Sequence, residues 1–188
     1  TDLCGAPGVG KTQFCLSCVI QYLAEGFKRG ESKNRSVIYI DAELKLDASR
    51  LIEIAAERFP DIFSPDHNIS APHNLDDLLT HIQILRPNSA TEFEAVVAEL
   101  QTTIVRAKAS LVIVDSIASI VRKENWDERE KEAFLIAQSQ TLKMTSEVCG
   151  CAILATNQVT PAGFSVQGGD LSFEKIIHDG SEYIPTLG

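Results

Sequence analysis

Apolar residues fall into two patterns along this chain: short continuous runs, and longer stretches with a period near 3.6 residues. The short runs predict five strands, at residues 3–4, 37–40, 82–85, 111–114 and 152–156. The periodic stretches predict five helices, over residues 11–24, 48–59, 75–80, 92–108 and 130–148. Strands that alternate with helices favour an α/β fold, in which a mostly parallel sheet carries helices on both faces.

Residues with capping and turn chemistry mark the ends of these elements. Asp47 and Asn74 are predicted N-caps, and Thr91 with Glu94 has the spacing of a capping box. The predicted helix ends lie near Gly26, Pro60 and Gly150. Polar, glycine-rich and proline-rich stretches predict loops at residues 28–35, 61–72, 122–129 and 159–180. No repeat or linker divides the chain, so we expect a single domain over residues 1–188.

Composition limits the classes of function. The 188 residues, 44% of them hydrophobic, are enough for one domain with a buried core. The net charge of -9 opposes nucleic-acid binding through bulk electrostatics, so any DNA contact needs a local patch or a partner. No apolar run approaches the roughly 20 residues of a membrane helix, and no membrane role is expected. Cys15 and Cys18 fall inside a predicted helix, which favours structural thiols in a reducing compartment.

A phosphate-binding loop is predicted at the start of the chain. Its glycines allow a tight turn that presents backbone N–H groups to phosphate oxygens, at the positive end of the following helix. Lys11 should reach the β- and γ-phosphates, and the Thr12 hydroxyl should bind Mg²⁺. The sequence therefore predicts binding of ATP with Mg²⁺. The residues that match G-x-x-x-x-G-K-[ST] are Gly5, Ala6, Pro7, Gly8, Val9, Gly10, Lys11 and Thr12.

Polar residues follow three of the predicted strands, where ligands of parallel α/β sheets bind. Asp115 ends the apolar run 111–114 and is predicted to support Mg²⁺ from just outside its direct ligands, beside the phosphate loop. Asp41 and Glu43 follow the run 37–40, and Glu43 is the candidate for orienting or deprotonating an attacking water. Asn157 and Gln158 follow residues 152–156, and an amide there suits a γ-phosphate sensor that couples the nucleotide to the loop at 159–180.

These segments occur in the same order in RecA-like recombinases, which the chain resembles over nearly its whole length. The eukaryotic strand-exchange recombinase and its paralogues carry the same motifs. Residues 116–124 and the ending at 185–188 are similar to the B- and C-type paralogues of the homologous-recombination machinery. The segments that carry the resemblance are 5–13 (GAPGVGKTQ), 39–43 (YIDAE), 111–116 (LVIVDS) and 156–159 (TNQV).

The resemblance implies a RecA-like ATPase core and assigns roles to its residues. It implies that Glu43 activates water and that Gln158 senses the γ-phosphate. It extends the nucleotide site to Gln13, and it places Arg50 where the family contacts the base. It also implies that residues 122–129 and 159–180 face DNA. The implied partners are the main recombinase and other paralogues, in the nucleus and, as a second location, the cytoplasm.

Departures from the family shape this expectation. The two predicted DNA-facing regions carry few basic residues, although phosphate contacts dominate affinity for DNA. The chain begins at the phosphate loop and stops where the family continues, so we expect a domain truncated at both ends. We therefore expect an accessory paralogue with weak, DNA-dependent ATP hydrolysis. Single-stranded DNA binding should be weak or indirect.

Two other classes of function stay open. A P-loop helicase or small-molecule kinase would share the phosphate loop, but a kinase should present an arginine-rich lid, and the residues after Asp115 show only scattered arginines. A non-catalytic interaction module would keep the fold for its shape alone. The presence of Lys11, Thr12 and Glu43 favours retained nucleotide binding over such a module.

Overall fold

The computed structural model describes residues 1–32, 35–64, 73–161 and 183–185. Its strands are β1 (Asp2–Gly5), β2 (Ser36–Asp41), β3 (Phe63–Ser64), β4 (His73–Asn74), β5 (Ile82–Leu85), β6 (Ala109–Asp115), β7 (Ala152–Pro161) and β8 (Tyr183–Pro185). Its helices are α1 (Lys11–Lys28), α2 (Ala48–Arg58), α3 (Leu75–Thr80), α4 (Ala90–Ala98), α5 (Leu100–Ala107), α6 (Ile117–Lys123) and α7 (Glu128–Cys149). None of these described helices is long and apolar enough to cross a bilayer.

The main sheet has the strand order β1-β7-β6-β2-β5, and all neighbours along this path are parallel. β8 adds an antiparallel pair to the far end of β7, and β3 and β4 form a separate parallel pair. The helices that connect the parallel strands cover the sheet. The predicted α/β fold with a mostly parallel sheet is confirmed, and it agrees with the RecA-like core that the resemblance implies.

Each face of the sheet has its own apolar core. On β2, Val37 and Tyr39 pack with α1, α2 and α3, whereas Ile38 and Ile40 pack with α4 to α7. All four side chains are fully buried. This alternation follows from the two-residue period of a strand, and burial on both faces explains why the strands read as continuous apolar runs.

The parallel register brings the carboxyl ends of four strands to one edge. Asp41 of β2 is level with Asp115 of β6, and Gly5 of β1 is level with Gln158 of β7. Loops that leave this edge therefore lie side by side. The residues with predicted chemistry follow these strand ends, so the fold gathers them from distant parts of the sequence.

Helix α1 does not end near Gly26, as the sequence predicted, but continues to Lys28. Gly26 is an internal helical residue against which the Arg35 side chain packs. A Cβ at position 26 would lie 2.6 Å from Cδ of Arg35. The glycine thus reflects a close approach between α1 and the segment before β2, not a helix end.

The predicted helix over residues 92–108 is two helices, α4 and α5, which meet at Glu99. The predicted capping box of Thr91 and Glu94 is wrong. Ser89 caps α4 instead, and its hydroxyl accepts a hydrogen bond from the Glu92 amide at 3.2 Å. The same serine-to-glutamate spacing occurs two residues earlier than predicted, so the sequence offered two competing starts for one helix.

The predicted irregular region 122–129 is irregular only over residues 124–127, and both of its ends are helical. Arg122 and Lys123 form the last turn of α6, and α7 begins at Glu128 behind a capping box formed by Asp127 and Glu130. Other boundaries also moved: β3 lies in the predicted loop 61–72, Asn74 is in β4, and β7 runs on to Pro161. Residues 65–72 and 162–180 of the predicted loops lie outside the described residues.

Candidate nucleotide site

The loop between β1 and α1 has the backbone geometry that its glycines allow. Gly8 and Gly10 have φ angles of 79° and 93°, in the left-handed region that favours glycine. No atom lies within 4 Å of a Cβ built at either position, so the loop faces open space. α1, an 18-residue helix, begins at Lys11 directly after this loop. Such an arrangement suits a phosphate group.

The Lys11 side chain lies back over this loop. Its ammonium donates hydrogen bonds of 2.9 Å to the carbonyl oxygens of Gly5 and Ala6. Partial burial lowers the pKa of Lys11, whereas the nearby carboxylates of Glu43 and Asp115 act in the opposite direction. The Lys11 ammonium is therefore held beside the phosphate loop, and an incoming phosphate would replace its two neutral carbonyl partners.

Asp115 is buried beneath the loop and accepts hydrogen bonds from three hydroxyl groups. Thr12 Oγ1 and Tyr39 Oη donate to its Oδ2 at 2.8 and 2.9 Å, and Thr156 Oγ1 donates to its Oδ1 at 2.5 Å. The donors come from α1, β2 and β7, so three elements orient one carboxylate. Because the Thr12 hydroxyl donates its hydrogen bond to Asp115, its oxygen lone pairs are available to a metal ion.

Tyr39 is a member of this cluster that the sequence reasoning missed. Its ring is fully buried, and burial together with the charge of Asp115 raises the pKa of its hydroxyl, which stays a donor. The available signal was the period of β2: Tyr39 and Asp41 share a face of the strand. A tyrosine inside an otherwise aliphatic run needs a partner for its hydroxyl, and in the structure that partner is Asp115 of the neighbouring strand.

Glu43 accepts hydrogen bonds from two side chains and forms a longer ion pair with a third. Ser116 Oγ donates to its Oε1 at 3.1 Å, Lys45 Nζ lies 2.8 Å from its Oε2, and Arg122 Nη2 lies 3.7 Å from its Oε1. Burial opposes ionisation, but hydrogen bonds from Lys45 and Ser116 and the nearby cations hold the pKa of Glu43 below its ordinary value. The carboxylate is thus ionised and faces the same space as Lys11.

Asp41 positions the turn that carries Glu43, a role that sequence reasoning missed when it grouped the two acids together. Its carboxylate accepts hydrogen bonds from the backbone amides of Lys45 at 3.0 Å and Leu46 at 3.1 Å. The Arg86 guanidinium donates to the same carboxylate at 3.2 Å and to the Leu46 carbonyl at 2.9 Å. Asp41 therefore stabilises the turn after β2, and of the two acids Glu43 is the one available to the site.

The remaining predicted residues reach the site from α2 and β7. Arg50 donates from Nε to the Gln13 side chain at 3.1 Å, which links α2 to the first turn of α1. The Gln158 backbone amide donates to Asn157 Oδ1 at 2.9 Å, and Gln158 is level with Gly5 in the sheet. The structure brings both residues beside the phosphate loop, and their roles toward base and γ-phosphate stay predictions.

Comparison with known proteins gives a consistent family. Residues 1–162 match the family model described as an AAA domain. The chain is 33% identical to DNA repair protein RAD51 homolog 2 of Homo sapiens over 167 residues, which cover 85% of this chain and 41% of the relative. It is 30% identical to RAD51 homolog 4 of Bos taurus over 85% of this chain and 46% of the relative.

The alignment with an archaeal relative covers a larger share of that relative's length. DNA repair and recombination protein RadB of Methanocaldococcus jannaschii is 29% identical over 177 residues, which are 91% of this chain and 71% of the relative. The chain spans less than half the length of the RAD51 relatives that it matches. The chain belongs to the AAA domain family, among the RecA-like recombinase paralogues that its motifs resembled.

Proposed function

We propose that this chain is an ATP-binding recombinase paralogue that acts in DNA repair by homologous recombination. One observation carries the proposal: the Thr12 hydroxyl meets the buried Asp115 carboxylate at 2.8 Å directly beneath an open phosphate loop. Threonine and aspartate from positions 103 residues apart are the pair that a Mg²⁺–nucleotide site requires. The relatives named as DNA repair proteins supply the biological setting.

The residues present fit a nucleotide with its metal. Residues 5–12 would receive the phosphates through backbone amides, and Lys11 would exchange its carbonyl partners for phosphate oxygens. Thr12 would hold Mg²⁺ directly, while Asp115 would act through its hydrogen bond to Thr12, since hydroxyl donors already occupy both its oxygens. The metal would supply positive charge at the β- and γ-phosphate oxygens.

Hydrolysis should be slow in the isolated chain. Glu43 would orient a water molecule, but its oxygens are held by Lys45, Ser116 and Arg122. A carboxylate with a pKa below its ordinary value is also a weak general base. ATP therefore serves chiefly to favour assembly with the main recombinase or other paralogues. In this proposal the protein binds or remodels a recombinase filament in the nucleus.

Nucleotide binding provides the first test. Titration of fluorescently labelled ATP in Mg²⁺ should show binding that falls at least roughly tenfold on Lys11→Ala, because a charge-assisted contact to phosphate is lost. Lys143→Ala, at an exposed position of α7, is the matched control and should leave affinity unchanged. Equal affinity in wild type and Lys11→Ala would reject the proposal in favour of a module that ignores ATP.

DNA contact is tested separately. Single-stranded DNA binding should be measured across a salt series with and without ATP, since each phosphate contact adds to the salt dependence. For a chain with a net charge of -9 we expect weak binding with a shallow salt slope. Tight, steeply salt-dependent binding by the chain alone would contradict an accessory role that acts through protein partners.

A further inference from the structure

We infer that Arg122 is a γ-phosphate-contacting residue that lets this chain distinguish ATP from ADP; the inference rests on the nucleotide site proposed above. The resemblance to recombinases assigned residues 122–129 to a DNA-facing loop. In the structure Arg122 instead lies in the last turn of α6, and its guanidinium is directed at the Glu43 carboxylate.

The contacts of Arg122 place it beside Glu43, where the γ-phosphate would be attacked. Arg122 Nη2 lies 3.7 Å from Glu43 Oε1, the oxygen that also accepts from Ser116. Ser116 directly follows Asp115, which holds Thr12 under the phosphate loop. A γ-phosphate bound by Lys11 and attacked by a water on Glu43 would lie between these two side chains, and Arg122, which contacts Glu43, would then be close enough to reach it.

Electrostatics gives independent support. The charge of Arg122 contributes to lowering the pKa of Lys11, after the larger effect of burial, so the two cations are within range of each other. The positive charges of Lys11 and Arg122 repel each other, and an anion bound between them would remove this repulsion. ADP ends at the β-phosphate and would leave Arg122 with Glu43 alone.

Arg122 is also free to respond. Its side chain is 49% exposed, and its contact with Glu43 is long for an ion pair. A guanidinium has five N–H donors, so it can engage a phosphate oxygen while it keeps or exchanges the carboxylate. Its neighbour Lys123 is committed differently, because its ammonium donates to the Ala42 carbonyl at 3.0 Å. Lys123 therefore stabilises the backbone after β2, whereas Arg122 is available to a ligand.

The experiment compares a non-hydrolysable ATP analogue with ADP by calorimetry, at fixed Mg²⁺. Arg122→Gln should weaken the analogue roughly tenfold or more, the scale of one charge-assisted hydrogen bond, and leave ADP within about twofold. Arg122→Lys should retain part of the preference. Arg129→Gln is the control: Arg129 belongs to the same predicted loop but lies exposed on α7, and its loss should change neither affinity.

A double-variant cycle separates direct contact from a structural effect. Glu43→Gln should strengthen analogue binding a few fold by releasing Arg122, and this gain should vanish in combination with Arg122→Gln. Equal losses for both nucleotides, or no loss, would overturn the inference while leaving the nucleotide site intact. Reduced DNA binding with an unchanged preference for ATP would restore the DNA-loop role. Failure of the wild type to bind either nucleotide would refute the proposed function itself.

Discussion

At the scale of single residues, the site depends on carboxylates that look alike in sequence and differ in their surroundings. Among the described residues, Asp115 accepts hydrogen bonds from hydroxyl groups, Asp41 accepts from backbone amides and Arg86, and Glu43 is paired with cations. A buried carboxylate is stable only when its oxygens are satisfied, so each pattern of donors fixes what the acid can do. Removing a single donor should therefore have measurable and different effects.

Tyr39→Phe removes one donor from Asp115 without changing the ring. We expect a loss of about 1–2 kcal/mol in the free energy of unfolding, because a buried charged acceptor is left under-satisfied. Urea unfolding measures this change. Tyr22→Phe, in which Arg35 still covers the ring, is the matched control and should cost less than about 0.5 kcal/mol. Equal costs for the two variants would show that the bond to Asp115 contributes nothing.

Glu43→Gln tests the proposed role in water activation. The rate of ATP hydrolysis should fall by a factor of roughly 100 or more, while ATP binding persists and strengthens a few fold as Arg122 is released. Since the pKa of Glu43 lies below its ordinary value, the carboxylate is charged at neutral pH. Wild-type hydrolysis should thus lose this base only at a pH below the ordinary glutamate value of 4.5. A variant that hydrolyses ATP as fast as wild type would remove Glu43 from the mechanism.

At the scale of elements, the five strands of the main parallel path were predicted well, the short strands β3, β4 and β8 were missed, and helix ends were predicted poorly. The central strands β2 and β6 are largely buried on both faces, so their apolar runs carry a clear signal. Helix ends depend on single contacts that sequence does not reveal. Gly26 was taken as a stop although it is needed for Arg35, and Ser89 won over Thr91 as a cap. The role of Asp41 was not predicted for the same reason, since its donors come from a later turn and from Arg86.

Gly26→Ala distinguishes a packing glycine from a terminating one. The added methyl group would displace the Arg35 side chain, which also donates to the Tyr22 carbonyl, so we expect a loss of about 1 kcal/mol in unfolding free energy. In an Arg35→Ala background the same change should become stabilising by about 1 kcal/mol, the helix propensity difference. Urea unfolding of the four proteins measures the coupling. Additive effects would mean that Arg35 does not set the requirement.

At the scale of the whole molecule, two cores meet across one sheet, and thiols are part of both. Cys15 is fully buried in the core under α1, and Cys151 lies in the opposite core. Burial is the largest cause that raises the pKa of Cys15 to about 12 and of Cys151 to about 11. Alkaline stability thus reports on both cores at once.

The unfolded chain should release these thiol protons first, from near the ordinary value of 9.0, while the folded protein keeps them. Fewer protons are then bound in the unfolded state, so stability falls as pH rises from about 9 toward 12. Cys15→Ala should flatten the decline by up to about 1.4 kcal/mol per pH unit. Urea unfolding between pH 8 and 11 checks this, and an unchanged slope would show that Cys15 does not resist ionisation.

The register between β2 and β6 limits where related sequences can tolerate insertions and deletions. Asp41 lies level with Asp115, and the irregularity in this pairing occurs at the other end, between Ser36 and Val37. Inserting or deleting one residue near Asp41 would turn every later side chain to the opposite face. Natural variation in length should therefore accumulate at the amino ends of these two strands. When many orthologous sequences are aligned, gaps should be tolerated before Val37 and absent between Val37 and Glu43.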